Sequence, residues 1–260
     1  MNPFNTKLRP SLETGMTPSK VAESLRSKDP EKIRSVMSEH RILAAPSDLP
    51  SQRYVVHDVT DTQAQIWRPG RYLGWNRPHL VRTFELKKPE EDPGITLSSR
   101  PRGREVDATY VPGTLSPVWN KDLGNIDAAL SQTKTVQLGE GRLGVTPEMT
   151  GCSLVRMKNA SIGHLQPPVL GKEDPNEPLV GVRAQNLLAK RDEISGLFGP
   201  IEYGHQRGAE HHRTGAVMIG GGTTRPTAVI SQSLYGTDVI EHPDSGKHEL
   251  RRLAARFNQL

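Results

Sequence analysis

Apolar residues follow two different patterns along the chain, and the pattern changes near residue 50. Before that point the spacing is helical. Thr17-Pro18 predicts an N-cap followed by the first residue of a helix, and Asp29-Pro30 predicts the start of a second. Each predicted helix has only about ten residues, which is marginal for an isolated helix in water. Residues 1–50 are therefore interpreted either as a mobile leader that is threaded through an export apparatus or as an ordinary N-terminal extension.

From Tyr54 onward, short apolar stretches broken by proline and glycine are typical of strands. Strands are predicted at 54–56, 65–67, 79–81, 83–86, 106–111, 135–138, 144–146, 153–157, 161–165, 216–219 and 227–230. Helices are predicted at 179–198 and 247–257, and residues 87–104 are predicted to form an exposed loop. The pattern predicts an α/β fold in which mixed β-sheets form a sandwich-like domain over residues 51–260, with peripheral helices and long loops.

Composition narrows the classes of protein. With 260 residues the chain is long enough to build a sizeable core. Its single cysteine excludes an internal disulfide framework and four-cysteine zinc sites, and suits a reducing compartment. No stretch approaches the roughly 20 apolar residues that span a bilayer, and residues 1–5 lack the apolar core of a signal peptide. We expect neither a membrane partner nor export by a cleaved signal.

The net charge raises the question of nucleic acid. A formal charge of +5, from 34 Lys and Arg against 29 Asp and Glu, is small for this length. No run of five or more basic residues occurs in the sequence. A nucleic-acid partner is therefore not expected.

The strongest chemical feature lies in residues 144–167, which contain the only cysteine, Cys152, and a histidine twelve residues later, His164. The predicted strands 153–157 and 161–165 can pair antiparallel as a hairpin. In the register whose paired residue numbers add to 316, Cys152 lies opposite His164, and a three-residue loop closes the hairpin. Directly opposite Cβ atoms are roughly 4.5–5.5 Å apart. The spacing therefore predicts contact between the thiol and the imidazole.

A thiol beside an imidazolium has a lowered pKa, so the pair would rest as thiolate and imidazolium and supply a nucleophile and a general acid. Gly151, directly before Cys152, would let substrate approach closely and turn backbone N–H groups toward a developing oxyanion. The other interpretation is structural, because a lone cysteine is commonly a small buried apolar residue.

Further residues carry a family resemblance. The run Met149-Thr150-Gly151-Cys152, with Thr146 six residues before the cysteine and His164 twelve after it, resembles the active-site segment of the bacterial glutamine deamidases. This group includes the cytotoxic necrotizing factors, the Burkholderia lethal factor and the chemoreceptor deamidases. In their motif a leucine and a serine stand where this chain has Met149 and Thr150. The resemblance covers about 25 of the residues and implies a triad in which Thr146 orients His164 through its carbonyl or its hydroxyl.

The resemblance implies a toxin or secreted effector that deamidates a glutamine of a host protein, with Thr150 and Gly151 at the oxyanion. A small GTPase or a translation factor is a plausible target. The enzyme would act as a monomer in the host cytosol, without metal or organic cofactor, after secretion without a cleaved signal peptide. A cysteine protease or a transglutaminase could use the same pair, because all three attack a carboxamide carbon. A non-catalytic binding or structural protein remains the alternative from another class.

Other motifs receive plainer interpretations. Residues 204–212 contain three histidines and a glutamate but lack the helical spacing of a zinc site, so an exposed loop is predicted. The glycine-rich run 220–224 lacks the lysine of a phosphate-binding loop, and a turn is predicted. Trp67, Trp75 and Trp119 are interpreted as packing residues. Nothing in the sequence places Asp58 or Asp61 near Cys152.

Overall fold

A computed structural model of the protein describes residues 15–47, 51–60, 82–92, 96–115, 123–167, 180–203, 214–233, 239–242, 247–250 and 255–260. The helices are α1 (Pro18–Ser27), α2 (Pro30–Glu39), α3 (Ile126–Gln132), α4 (Val180–Leu188) and α5 (Pro200–Tyr203). The strands are β1 (Arg41–Ala44), β2 (Ser51–Asp58), β3 (Thr83–Lys87), β4 (Glu105–Tyr110), β5 (Gly113–Leu115), β6 (Thr135–Gln137), β7 (Leu143–Val145), β8 (Ser153–Met157), β9 (Ser161–Gln166), β10 (Ile194–Phe198), β11 (Thr214–Ile219), β12 (Ala228–Ser233), β13 (Val239–His242), β14 (Lys247–Leu250) and β15 (Ala255–Gln259).

Two mixed sheets organise these strands. The larger has eight strands in the order β1-β3-β2-β4-β7-β11-β12-β15, and its parallel pairs are β1 with β3 and β4 with β7. The smaller has the order β10-β8-β9-β5, with β6 also paired to β9. In the smaller sheet β5 runs parallel to β9, whereas β8 runs antiparallel to both of its neighbours. Strands β13 and β14 pair with each other as a separate hairpin.

The sheets and helices form four layers. Successive side chains of a strand point to opposite faces, and β11 shows both destinations. Val217 packs in the cluster that contains the buried faces of α1 and α2, whereas Ala216 and Met218 pack in the cluster between the two sheets. Beyond the smaller sheet, residues of α3 and α4 pack against Val155 and Leu165. The order of layers is helix, sheet, sheet, helix, which confirms the predicted α/β fold with mixed sheets.

The two N-terminal helices start where the sequence predicts. The Thr17 side chain accepts a hydrogen bond from the amide of Lys20, and Asp29 accepts from the first turn of α2. The apolar faces of both helices, which include Leu25 and Ile33, are buried in the core of the larger sheet. Residues 15–47 therefore belong to the folded unit. The expected boundary at residue 50 is wrong for this segment, because its apolar stripe has a sheet to pack on.

Two of the predicted helices differ in the structure. The stretch 179–198 contains α4 and then a strand, β10, rather than one helix. Where the structure describes the predicted helix 247–257, residues 247–250 form β14 and residues 255–257 belong to β15. The backbone of β15 pairs antiparallel with β12 at an edge of the larger sheet. Tertiary pairing has overridden the helical spacing of the apolar residues there.

Candidate active site

The hairpin of β8 and β9 forms the floor of the candidate site. Its three-residue loop is 158–160, and Ala160 adopts a left-handed φ of 62° with its amide bonded to the carbonyl of Met157. The register pairs Leu154 with His164. The paired numbers add to 318 instead of the expected 316, so Cys152 is not directly opposite His164. Because the shift is two residues, the prediction that both residues belong to one face of the hairpin is unaffected.

Thr146 and His164 lie in hydrogen-bond contact, an arrangement that the family resemblance implies. Thr146 follows the end of β7, and its Oγ1 lies 2.6 Å from Nδ1 of His164. The Thr146 hydroxyl also donates a hydrogen bond to the carbonyl of Val111, at 3.2 Å. A hydroxyl has one hydrogen, so Nδ1–H of His164 donates to Oγ1. The tautomer that results leaves Nε2 as the free base.

Burial sets the charge of His164. The side chain is completely buried, and this desolvation lowers its pKa to about 4. The ring is therefore neutral at pH 7. Nε2 is buried and has no hydrogen-bond partner in the described part of the chain. A buried acceptor without a partner is energetically costly, so a hydrogen-bond donor that reaches Nε2 would be bound favourably.

Cys152 lies directly before β8 and, like His164, is buried away from solvent. The residue is only 5% exposed and packs in the cluster between the sheets, beside residues that include Leu154 and Phe198. Burial raises the pKa of its thiol to about 11. Its Sγ donates to the carbonyl of Thr150 at 3.6 Å, and no hydrogen bond joins it to His164. The expected thiolate–imidazolium pair is therefore wrong for this state, in which both groups are neutral.

The backbone before the thiol is fixed by a close approach of α4. Gly151 has a left-handed φ of 73°, which favours glycine. Its carbonyl oxygen lies so close to Gly181 of α4 that a Cβ at position 181 would collide with it. Because the peptide is planar and trans, the N–H of Cys152 points away from α4. The Thr150 side chain is exposed, whereas Gly151 is buried, so the predicted oxyanion segment runs from solvent into a buried position beside α4.

Tyr203 contacts the backbone of Cys152 and was not identified from the sequence. Its hydroxyl donates to the carbonyl of Cys152 at 3.0 Å. Burial raises its pKa above the ordinary value, so it remains a donor. Glu202, the preceding residue, accepts hydrogen bonds from the side chain of Gln185 and the amide of Gly199. The sequence signals only a helix stop at Gly199-Pro200, and long-range contacts of this kind leave no local pattern.

A separate cleft of about 320 Å³ lies between β1, β3, β7 and β11. Thr146 contributes to its wall, but Cys152 and His164 do not. This cleft is therefore distinct from the thiol and the imidazole.

Several expected features lie outside the described residues. These are the histidine-containing run 204–212, Asp61, and Trp67, Trp75 and Trp119. Within the described ranges no group of three or more metal-binding side chains occurs. No helix in the same ranges is long and apolar enough to cross a bilayer.

No protein-family model matches the chain, and a search of curated proteins gives no significant match.

Proposed function

We propose that the protein is a cysteine hydrolase that deamidates a glutamine side chain of another protein. Cys152 is the nucleophile, His164 is the general base and acid, and Thr146 positions the imidazole. The observation that carries the proposal is the buried 2.6 Å hydrogen bond between Thr146 Oγ1 and His164 Nδ1. That bond leaves Nε2 as the free base of a buried, neutral imidazole on β9, and the only cysteine of the sequence directly precedes the paired strand β8.

The first step transfers a proton as the nucleophile attacks. Both groups start neutral, so the thiol must turn from the Thr150 carbonyl toward Nε2 of His164. Nε2 takes the thiol proton, and Sγ of Cys152 bonds to the carboxamide carbon of the glutamine. The imidazolium then gives that proton to the nitrogen. The C–N bond breaks, ammonia leaves and a thioester remains.

The second step restores the enzyme. Water loses a proton to Nε2 of His164 while its oxygen bonds to the thioester carbon. The C–S bond breaks, the sulfur recovers the proton from the imidazolium, and glutamate is released. The backbone N–H of Cys152, which points away from α4, and the neighbouring Thr150–Gly151 segment are the proposed donors to the oxyanion. No step in this sequence calls for a metal or an organic cofactor.

The biological setting is part of the same proposal and rests on the resemblance at residues 146–164. The substrate is a host protein, with a small GTPase or a translation factor as the proposed target. The enzyme is a monomer secreted from a bacterium without a cleaved signal peptide and acts in the host cytosol. The change from amide to carboxylate adds a negative charge, which can disable an interface of the target.

The decisive experiment treats host-cell lysate with the wild type or with Cys152→Ala and compares glutamine-containing peptides by mass spectrometry. The expected result is ammonia release and conversion of one glutamine to glutamate by the wild type alone. Attachment of an amine at that glutamine would identify a transglutaminase, and a broken chain would identify a protease. The deamidase proposal is abandoned if the two samples show no difference at any glutamine.

A non-catalytic role is the second candidate, and the burial of Cys152 among apolar side chains favours it. In that case Cys152→Ala only removes a buried sulfur and costs about 1–2 kcal/mol of unfolding free energy. Lysates treated with the two proteins would then be identical, and the variant would differ from the wild type only in its denaturation midpoint.

A further inference from the structure

Gln166, the last residue of β9, lies on the same face of the hairpin as His164. The register pairs Ser153 with Leu165, and continued by one residue it places Gln166 opposite Cys152. Gln166 is partly exposed, whereas Cys152 and His164 are buried. A polar, uncharged and partly exposed side chain therefore lies on the same face of the hairpin as both proposed reacting groups.

Gly113 of β5 makes the space that this side chain occupies. Gly113 pairs directly with His164 across the parallel ladder. A Cβ at position 113 would lie 2.7 Å from Nε2 of Gln166 and 3.6 Å from Cε1 of His164. The carboxamide of Gln166 and the imidazole of His164 therefore border the same space, which is open because residue 113 has no side chain. Any larger residue at position 113 would push the Gln166 side chain aside.

We propose that the carboxamide of Gln166 donates a hydrogen bond to the carbonyl oxygen of a carboxamide bound at Cys152, and that Gly113 is required for Gln166 to reach it. The proposal rests on the deamidase function and names a further substrate-contacting residue of the same site. Nε2 of Gln166 carries two hydrogens, and the side chain stays neutral at every working pH. A hydrogen-bond donor placed where negative charge develops stabilises the transition state more than the ground state.

The first test measures recognition of a carboxamide without requiring turnover. Iodoacetamide carries a primary carboxamide, whereas methyl methanethiosulfonate reacts with thiols and has none. The measured quantity is the second-order rate constant for iodoacetamide divided by that for methyl methanethiosulfonate, at Cys152 of the wild type, Gln166→Ala and Gln166→Glu. This ratio should fall roughly fivefold to tenfold in both variants, because neither alanine nor an ionised carboxylate can donate a hydrogen bond.

Gln137→Ala is the matched control, since Gln137 is an exposed glutamine on β6, which also pairs with β9. Its ratio should equal that of the wild type. An unchanged ratio in both Gln166 variants overturns the proposal. Failure of iodoacetamide to modify Cys152 of the folded wild type also overturns it, because no carboxamide could then reach the thiol.

Gly113→Ala supplies an independent test through geometry. The new methyl group meets the far end of a flexible side chain, so the variant is expected to fold. It should lower the ratio as much as Gln166→Ala does, and the double variant should show no additional loss, because Gly113 acts through Gln166. Additive losses in the double variant would contradict this link.

The same variants in the lysate assay separate the two proposals. If the wild type deamidates a target, Gln166→Ala should lower kcat about a hundredfold, as removal of an oxyanion donor does. If the wild type deamidates nothing while the reagent ratio still depends on Gln166, the deamidase function fails and carboxamide recognition stands.

Discussion

At the scale of single residues, the candidate site depends on which ring nitrogen of His164 carries the proton. Thr146 accepts from Nδ1 of His164 because its own hydrogen is committed to the carbonyl of Val111. This chain of two hydrogen bonds selects one tautomer and one ring orientation. In the proposed reaction His164 can therefore act as a base without first losing a proton, which differs from a preformed ion pair.

Replacing Thr146 by valine tests this positioning. The substitution keeps the shape but leaves Nδ1–H of His164 buried without an acceptor, a cost of about 1–3 kcal/mol. We expect kcat for deamidation to fall roughly tenfold to hundredfold with little change in KM. Thr146→Ser retains the hydroxyl and should restore most of the activity. Equal rates for the valine and serine variants would show that the hydrogen bond has no role.

The pH dependence of thiol alkylation tests the charge state of Cys152. With a thiol pKa near 11, the thiolate fraction is small at neutral pH and rises about tenfold with each pH unit. The rate with iodoacetamide should follow that rise between pH 7 and 9, as measured by mass spectrometry of quenched samples. A rate that is already constant at pH 6 would instead indicate the ion pair that spacing alone predicted.

At the scale of elements, local patterns predicted the hairpin but not its register. The predicted bounds of β8 match the structure, and the loop has the predicted length of three residues. The error of two residues arose because the register was chosen to place Cys152 opposite His164. Ala160 has a left-handed φ in the loop that closes this register, and alanine gives no sequence signal for that conformation. Glycine or asparagine would have done so.

The predicted helices also show that local signals determine only some of the elements. Thr17-Pro18 and Asp29-Pro30 carry their own capping signals, so α1 and α2 were predicted correctly. The stretch 247–257 has helical spacing but no such caps, and its described residues belong to strands that pair with β13 and β12. Contacts between residues distant in sequence, such as Tyr203 with Cys152, could not be predicted from one sequence because nothing local encodes them.

Ile33→Ala tests whether α2 belongs to the folded unit. Ile33 is completely buried in the core that α2 shares with the larger sheet. The substitution should lower the unfolding free energy by about 2–5 kcal/mol, measured by urea denaturation. Lys32→Ala on the exposed side of the same helix is the control and should change it by less than about 0.5 kcal/mol. Equal stabilities for the two variants would restore the interpretation of a leader.

At the scale of the whole molecule, the layers exclude water from a titratable ring, and stability therefore depends on pH. His164 has a folded pKa of about 4, against 6.5 when exposed. The unfolded state binds more protons between these values, so stability is full above pH 6.5 and is lost as the pH falls toward 4. We expect His164→Gln to lose roughly 2–3 kcal/mol less unfolding free energy than the wild type when the pH is lowered to 4.5.

Urea denaturation of the wild type and of His164→Gln at pH 7.5 and pH 4.5 measures this difference. His40, whose pKa burial also lowers, is present in both proteins, so its contribution cancels. Parallel losses of stability in the two proteins would show that His164 does not titrate as a buried ring.

The buried side chain of Gln232 joins residues that are remote along the chain. Its amide group on β12 donates to the carbonyls of Met37 and His40, and its oxygen accepts from the amide of Ile42. During synthesis, α2 and β1 emerge from the ribosome almost two hundred residues before this partner. Until β12 is synthesised, the backbone groups of α2 and β1 that bond to Gln232 lack this partner, and their apolar residues are exposed to aggregation. Folding of the helix-covered core is therefore expected to finish late in translation or after it, when a chaperone could still hold the chain open.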